Sequence, residues 1–335
     1  MSILFEPLEI RGIRLKNRII SAPMASNTCT KTGLPTADTL DYYMPLAESG
    51  VGLAIVEHHA VHPDGRARER QLMMDRDEII PYQKDLSGLF SSRDIPAMVQ
   101  LNHAGSQIMD EELLVNGWAP KGPSPIRHPR SKVFIMPQGL TTEDIASLPG
   151  LFADSAKRAV KSGYIGVEIH ACHGYLLGQF LSPMTNLRTD AYGGEIRNRA
   201  RLLFEIHEAV RDAVSDETVV AVRLGLADTL PGKEPSGQTI EDSRWVAGEF
   251  SSRGLDLLDL SGNMCGYEGQ GEAWFAPYCR TVKDAAGSIP VVCTGGIRTA
   301  DTAVRLLERG DCDITGIGRA LKANPGLVHD WEKDQ

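Results

Sequence analysis

The sequence lacks the closely spaced cysteine pairs that hold metal clusters. No Cys-x-x-Cys pair occurs among its six cysteines, which are Cys29, Cys172, Cys265, Cys279, Cys293 and Cys312. Structural zinc sites and iron–sulfur clusters are typically held by such pairs, so we expect neither. Scattered thiols are also typical of proteins from a reducing compartment, where disulfide frameworks are rare. We expect most of these cysteines to be buried thiols.

An excess of basic residues is missing too. The chain has 35 Lys and Arg against 44 Asp and Glu, a formal net charge of −9. No basic field is therefore present to attract nucleic acid or an anionic membrane, and we expect neither as a partner. An anionic ligand would have to be held by local groups.

Long apolar runs are absent as well. No segment approaches the length of a membrane span, and the first residues reach a carboxylate at Glu6, too soon for a signal peptide. Apolar residues make up 42% of the chain and charged residues 24%, values that are ordinary for a globular protein. We expect a cytoplasmic protein with a single domain over residues 1–335, a size that α/β barrels reach undivided.

The chain does contain a regular alternation of short β-branched runs and amphipathic segments. Residues 4–18 precede it and alternate around Gly12, which predicts a β-hairpin. Strands are predicted at residues 18–23, 52–56, 95–101, 165–169, 218–224, 255–260, 289–293 and 313–317. Helices are predicted at residues 36–48, 77–92, 142–161, 197–214, 239–253, 273–286 and 300–309. Apolar strands alternating with helices indicate a covered parallel sheet, and eight such units close most simply into a (β/α)8 barrel.

A doubly wound open sheet is the competing architecture, because the alternation alone fits both. No Gly-x-Gly-x-x-Gly follows the first strand, and polar residues follow many strands rather than one switch point, which favours the barrel. The longest connection of the predicted barrel runs from Asn102 to Thr141, between the third strand and the third helix, and is rich in Pro and Gly. Such loops are usually lids or binding elements, so we expect it on the substrate side.

The stretch from Gly166 to Arg199 concentrates side chains suited to catalysis. His170, His173 and Tyr175 follow a predicted strand within six residues. The carboxyl-terminal ends of barrel strands carry catalytic groups, so two imidazoles and a phenol can converge there on one ligand atom. One histidine at a strand end would more often be structural, but three titratable rings at this spacing favour a catalytic site.

Glycine-rich turns follow the last two predicted strands. They are Thr294-Gly295-Gly296 and Gly316-Ile317-Gly318-Arg319. Such turns expose backbone N–H groups at a helix N-terminus, and Arg319 adds a guanidinium group. Two of them on adjacent strands predict a phosphate site, and hence a phosphorylated ligand.

A metal-dependent hydrolase is a second hypothesis. Six of the nine histidines are predicted on the catalytic face: His58, His59, His62, His103, His170 and His173. Zinc and iron hydrolases build metal sites on barrels from such residues. Carboxylates to complete a metal shell are sparse, however, since Glu57 and Glu168 could equally face the core. A metal would also leave the phosphate turns unexplained, so we predict none.

Several motifs closely resemble the Old Yellow Enzyme family of flavin-dependent ene-reductases. They are PMA after the first strand, VQLNHAG on the third, EIHACHGYLLGQFLSPMTNLRTDAYGGEIRNR on the fourth and TGIGRALKANP on the eighth. The similarity spans essentially the whole chain. It implies an FMN-binding (β/α)8 barrel that uses NADH or NADPH as co-substrate to reduce the activated C=C bond of a small enone or enoyl compound. A homo-oligomer is also expected.

The resemblance implies roles for individual residues. His170 and His173 would bind the substrate carbonyl oxygen, and Tyr175 would protonate Cα. Arg223 would face the N1/O2 end of the flavin, and Gln100 would hydrogen-bond its pyrimidine. The residues implied to contact FMN are Ala22, Pro23, Met24, Ala25, Ala60, Gln100, Arg223, Gly295, Gly296, Gly318 and Arg319.

Some positions depart from the family pattern. The His-x-x-His pair stands where other members have His-x-x-Asn, which places the chain nearer the smaller-barrel and dienoyl-CoA-reductase-like branch, of whose larger members it resembles only the barrel. Ala25 stands where some relatives have a redox-tuning Cys, so the flavin potential is expected to differ. Asn27 replaces a substrate-contacting Tyr and is a candidate substrate residue. A flavin barrel with another substrate to oxidise, such as an amine, is the alternative within the family.

Overall fold

Eight parallel strands form a closed barrel in the computed structural model, which describes residues 2–115, 118–267 and 269–334. The barrel strands are Ile19–Ser21, Leu53–Ala60, Ala97–Asn102, Gly166–Ala171, Val219–Gly225, Leu257–Ser261, Val291–Thr294 and Ile314–Ile317. Each pairs with the next along the chain, and the eighth closes on the first, where Ile317 pairs with Ser21. The predicted (β/α)8 barrel is confirmed.

Burial on both faces explains why the strands are continuous apolar runs. Ile20, Met98 and Val292 pack together inside the barrel, in a cluster made only of residues from strands and the segments beside them. Val56 and Val222 belong to the outer cluster, which also contains the side chains of the surrounding helices. This pattern is characteristic of parallel sheets that helices cover.

The predicted hairpin closes the amino-terminal end of the barrel. Its strands are Leu8–Ile10 and Ile13–Leu15, joined at Arg11 and Gly12, whose φ angles are 47° and 78°. Positive φ at both central residues is typical of the two-residue turns that match strand twist. Ile10 and Leu15 pack into the inner cluster.

Helices surround the barrel. The α-helices are Ala37–Ala47, Ile80–Ser91, Thr142–Lys161, Leu176–Leu181, Ile196–Arg199, Arg201–Ala213, Ile240–Ser251, Ala276–Lys283, Ala300–Glu308, Arg319–Ala323 and Leu327–Lys333. Single 3-10 turns lie at Ile3–Phe5, Pro63–Gly65, Asp77–Ile79 and Glu111–Leu113. None of the helices within the described ranges combines the length and apolar character that crossing a membrane requires.

The long connection after the third strand has a structure of its own. It contains two short paired strands, Lys121–Gly122 and Gln138–Gly139, and a small core of Ile108, Leu113 and Val133. Its side chains Gln107, Met109 and Arg130 reach the cavity at the carboxyl ends of the barrel strands. The expectation that this connection lies on the ligand side is therefore met.

Candidate active site

A cavity of about 670 Å³ opens at the carboxyl ends of the barrel strands. This volume is within the usual range for sites that bind small molecules and cofactors. The predicted site residues on its wall are Ala22, Pro23, Met24, Ala25, Asn27, Gln100, His170, His173, Tyr175, Arg223, Gly295, Gly296, Gly318 and Arg319. The sequence therefore identified residues that the fold brings together, although their separate roles stay predictions.

Ala60 is the predicted FMN residue that is not among the described residues lining the cavity, and its role stays a prediction. It is fully buried in the outer cluster, and its N–H donates to the Leu72 carbonyl. A β-bulge between Val56 and His58 shifts the alternation of the second strand by one residue. His58 consequently faces the cavity in place of Glu57. Strict alternation from the sequence misses such a shift, because a bulge adds one unpaired residue to a strand.

Hydrogen bonds fix which nitrogen of His58 carries the proton. The Ala67 N–H donates to Oε1 of Gln71 at 2.7 Å, which orients the Gln71 amide. Its Nε2 then lies 3.3 Å from Nδ1 of His58, so Nδ1 must accept. Burial lowers the pKa of His58 to about 3, and the neutral ring therefore carries its proton on Nε2. His58 adds a neutral donor to the cavity wall.

His170 and His173 form a hydrogen-bonded pair. Nε2 of His170 lies 3.0 Å from Nδ1 of His173, whose Nε2 lies 2.8 Å from the Ser261 hydroxyl. Nδ1 of His170 is buried without a partner among the described residues. Burial holds the pKa of both imidazoles well below its usual value, so both are neutral near pH 7. For both rings to donate to one substrate oxygen, their mutual contact must open.

The turn at His173 and Gly174 is held by hydrogen bonds from other segments of the chain. His173 has φ of 57°, a left-handed conformation uncommon for a residue with a side chain. Its N–H donates to the Gly262 carbonyl at 3.0 Å, and the Gly174 N–H donates to Oδ1 of Asn263 at 3.1 Å. The Gln107 amide donates to the carbonyls of His173 and Gly174. These bonds hold the turn in place before a ligand arrives.

Tyr175 lies among the cavity imidazoles. Its ring centroid is 4.9 Å from that of His170 and 5.3 Å from that of His58. Burial raises the pKa of Tyr175 to about 12, so its phenol stays protonated at neutral pH. A protonated phenol beside neutral imidazoles is suited to donate a proton to a bound substrate.

A buried charged network lies at the bottom of the cavity. Nε of Arg223 is 3.1 Å from Oδ2 of Asp259, whose Oδ1 accepts from the Thr294 hydroxyl at 2.6 Å. Nε2 of Gln100 donates to Glu168 at 2.6 Å, which leaves its Oε1 as an acceptor. Burial, and then the charge of Asp259, raise the pKa of Glu168 to about 8. The network holds a guanidinium and an amide oxygen in fixed positions on the cavity wall.

The two glycine-rich turns, named the phosphate cradle here for their predicted role, both lie on the cavity wall. No hydrogen bond among the described residues uses the N–H groups of Gly295, Gly296 or Gly318 as donors. A Cβ at Gly296 would lie 2.2 Å from the Trp274 ring, and one at Gly318 would lie 2.9 Å from Sδ of Met24. Gly296, whose φ is 74°, leaves no room for a side chain, and the open N–H groups of the two turns fit a phosphorylated cofactor.

The histidine cluster of the hydrolase hypothesis is only half assembled. Nε2 of His59 bonds Gln83 outside the barrel, Nδ1 of His62 accepts from the Asp64 N–H, and Nδ1 of His103 accepts from the Gly105 N–H. Within the described residues, the one group of potential metal ligands is His170, Cys172 and His173. Burial raises the pKa of the Cys172 thiol well above its usual value, so in the absence of a metal this group is a neutral thiol.

Several wall residues were not identified from the sequence. Arg68 follows the second strand, Arg130 comes from the long connection, and Tyr267 and Trp274 come from the loop after the sixth strand. Tyr267 packs edge-on against His173 with ring centroids 5.6 Å apart. These loops match no common motif. The length of the long connection was therefore the one feature of the sequence that pointed to further ligand-side residues.

The family of the protein follows from sequence comparison. The model of the NADH:flavin oxidoreductase / NADH oxidase family matches residues 3–335, and the chain belongs to this family. The resemblance to Old Yellow Enzymes is thereby confirmed. FMN is the cofactor and NAD(P)H the electron donor, in agreement with the phosphate cradle.

Individual relatives give the same assignment. The chain is 33% identical to the NADPH dehydrogenase of Geobacillus thermodenitrificans over 97% of its own length and 92% of that protein. It is 31% identical to the NADH oxidase of Thermoanaerobacter brockii, of which it spans about half (50%). The solved structure of morphinone reductase superposes with a TM-score of 0.85 at 25% identity, covering 99% of this chain and 90% of that one.

We expect Arg319→Ala to weaken FMN binding about 10- to 150-fold, the value of one charge-assisted hydrogen bond of about 1.5–3 kcal/mol. Arg319 lies at the phosphate cradle and donates to the Tyr267 carbonyl at 2.9 Å. Fluorescence titration of FMN into the cofactor-free protein measures the affinity. Arg319→Lys keeps the charge but not the planar fork, so its FMN affinity should lie between those of the wild type and Arg319→Ala. FMN retained through dialysis as firmly as in the wild type would contradict the assignment.

The buried carboxyl group of Glu57 should make the stability of the protein depend on pH. The Ser26 N–H donates to its Oε2 at 3.0 Å and the Tyr43 hydroxyl to its Oε1 at 3.2 Å, but burial raises its pKa from 4.5 to about 7. The folded protein then binds more protons than the unfolded chain between these values. The contribution to stability is full below pH 4.5 and is lost as pH rises through about 7. The free energy of unfolding in urea should change less with pH in Glu57→Gln than in the wild type over this window. Parallel pH profiles of the two proteins would contradict the prediction.

Proposed function

We propose that the protein is an ene-reductase that reduces the activated C=C bond of α,β-unsaturated carbonyl compounds with electrons from NAD(P)H. The observation that carries this proposal is the convergence of His170, His173 and Tyr175 on the wall that also holds the cofactor residues. FMN, which the wall with Gln100, Arg223 and Arg319 would hold, would supply the hydride for the β-carbon of the substrate, with NAD(P)H as its source. The protein has to bind the carbonyl oxygen and supply a proton to the α-carbon.

In this proposal His170 and His173 bind the carbonyl oxygen. Negative charge develops on that oxygen as the hydride arrives, so N–H donors that are already in place stabilise the transition state more than the bound substrate. Both rings are neutral because they are buried, and each can offer one N–H. Their contact with each other and with Ser261 keeps the donors ordered until the substrate oxygen replaces it.

Tyr175 supplies the proton in this proposal. Tyr175 lies on the same wall as His170, with ring centroids 4.9 Å apart. A buried phenol whose pKa is about 12 keeps its proton until a basic carbon is next to it. Asn27, at φ of 58°, lies on the same wall and is proposed to contact the substrate.

Oxidation of an amine is less well supported than alkene reduction. The described wall residues include five arginines and no aspartate or glutamate. An ammonium group entering this cavity would meet positive charge without a carboxylate to pair with. The same wall suits a neutral or negatively charged substrate.

Anaerobic half-reactions test the proposal. The protein loaded with FMN is bleached with NADPH, and 2-cyclohexenone is then added. Reoxidation of the flavin is followed by its absorbance at about 450 nm, where oxidised protein-bound flavins absorb. Rapid return of the yellow colour, faster than with air, is the expected result. A protein that bleaches but is reoxidised only by oxygen would exclude the enone substrate while keeping the flavin assignment.

A further inference from the structure

The cavity wall carries positive charge in an acidic protein. The chain has a formal net charge of −9, yet five arginines and no carboxylates are found among the described wall residues. These arginines are Arg68, Arg130, Arg223, Arg298 and Arg319. Because like charges are costly to place together, such a wall indicates negatively charged ligands.

The cofactor accounts for the arginines on one side of the cavity. Arg223 is paired with Asp259, and Arg319 lies at the phosphate cradle. Arg298 follows the Gly295-Gly296 turn, and its Nε lies 3.5 Å from Oε1 of Glu272. Neither Arg68 nor Arg130 belongs to this group, because they come from the loops after the second and third strands.

Arg68 and Arg130 lie instead near the proposed proton donor. The charge of each lowers the pKa of Tyr175, against the larger opposite effect of burial. Arg68 acts in the same way on His58, and Arg130 on His173. The guanidinium of Arg130 is 5.9 Å from the ring centroid of Tyr267, which packs against His173. Both charges are thus close to the place where the substrate carbonyl is proposed to bind.

Arg130 is the less neutralised of the two. Nη1 of Arg68 lies 3.2 Å from Oδ1 of Asp110. Arg130 donates to the Met264 carbonyl at 3.3 Å, and within the described ranges it has no carboxylate at ion-pair distance. Its Nε is buried without an acceptor. A guanidinium with donors left over is suited to bind a carboxylate or phosphate through two parallel hydrogen bonds.

We propose that Arg130, with Arg68 beside it, forms an anion subsite that binds a carboxylate or phosphate group of the ligand whose carbonyl oxygen lies at His170 and His173. The inference rests on the proposed function, since it takes the carbonyl oxygen to lie at those histidines. Phosphate groups of NAD(P)H offer the same chemistry, and separate measurements distinguish them from an anionic substrate.

Two phenols of nearly the same shape test the subsite. 4-Hydroxybenzoate and 4-hydroxybenzamide differ in charge at one end, and each presents its phenol oxygen to the histidine pair. Titration into the oxidised FMN-loaded protein, followed by the change in flavin absorbance, gives both dissociation constants. We expect the wild type to prefer the benzoate, and Arg130→Met to lose about 10-fold of that preference. Differences between the two phenols that do not depend on Arg130 cancel when the ratio of their dissociation constants is compared between the wild type and the variant.

Matched variants separate this effect from a general loss of charge. Arg244→Met removes the same charge from the exposed face of the helix Ile240–Ser251, where Arg244 lies 3.4 Å from Glu241, its one ion-pair partner among the described residues. It should keep the wild-type preference. Arg130→Lys should keep part of it, because the charge remains but the planar fork is lost. The preference should also fall as salt is added.

The results also separate the sources of the anion and the two proposals. Weaker binding of NADPH by Arg130→Met in the bleaching step, with an unchanged preference between the phenols, would assign the subsite to the phosphates of the electron donor. If Arg130→Met binds both phenols with the wild-type preference and has unchanged NADPH affinity, the anion subsite is overturned while the proposed function stands. If neither phenol perturbs the flavin, the carbonyl site fails and the subsite fails with it.

Discussion

Tyr175→Phe should slow the reduction of 2-cyclohexenone about 10²- to 10⁴-fold, the usual contribution of a general acid. The substitution removes one hydroxyl and keeps the ring between His58 and His170. The rate at which NADPH bleaches the flavin should stay that of the wild type, because no proton from Tyr175 is needed in that step. Stopped-flow measurement of the two half-reactions separates these effects.

A control and a pH profile sharpen this prediction. Tyr82→Phe makes the same change at an exposed tyrosine away from the cavity and should leave both half-reactions unchanged. Since burial raises the pKa of Tyr175 to about 12, its ionisation should produce no fall in rate below about pH 10. A Tyr175→Phe protein that reduces the enone as fast as the wild type would show that another donor, such as water, supplies the proton.

Local patterns were sufficient to predict the order of the fold. The barrel strands are continuous apolar runs because both faces are covered, and this is visible without the structure. The helix predicted at residues 142–161 matches Thr142–Lys161, where Thr141 and Asp144 form a capping box that the sequence displays. The helix predicted at residues 197–214 is instead interrupted at Ala200, which has no capping side chain to mark the break.

Site residues could be predicted where one segment carries them. His170, His173 and Tyr175 lie on one turn, so their spacing alone indicates that they converge. Ala60 is not among the described residues of the cavity wall, so its contact with FMN stays a prediction. No residue pattern marks the bulge that turns His58 into the cavity.

The positions of the two subsite arginines depend on contacts between distant parts of the chain. Arg68 bonds Asp110, 42 residues away, and Arg130 bonds the Met264 carbonyl, 134 residues away. Both side chains are held by loops whose paths are set by tertiary packing. Local sequence reasoning does not reach separations of this length.

Arg223→Met should lower the free energy of unfolding by about 3–5 kcal/mol, the usual cost of removing one partner of a buried ion pair. Methionine fills a similar volume but leaves Asp259 buried beside Glu168 without a positive charge. The Asp259 carboxylate would keep its bond from the Thr294 hydroxyl, but one hydrogen bond does not offset the lost ion pair. Urea unfolding of the FMN-free protein measures this loss separately from any change in cofactor binding.

The double variant Arg223→Met/Asp259→Asn decides whether the pair itself is the cause. Replacing both members of a buried ion pair by neutral groups of similar volume is often close to neutral, so most of the lost stability should return. FMN affinity should not return, because Arg223 is also proposed to face the flavin, and fluorescence titration of FMN measures that loss independently. A double variant no more stable than Arg223→Met would mean that Asp259 does not depend on Arg223, and that the guanidinium is held at the cavity for the cofactor alone.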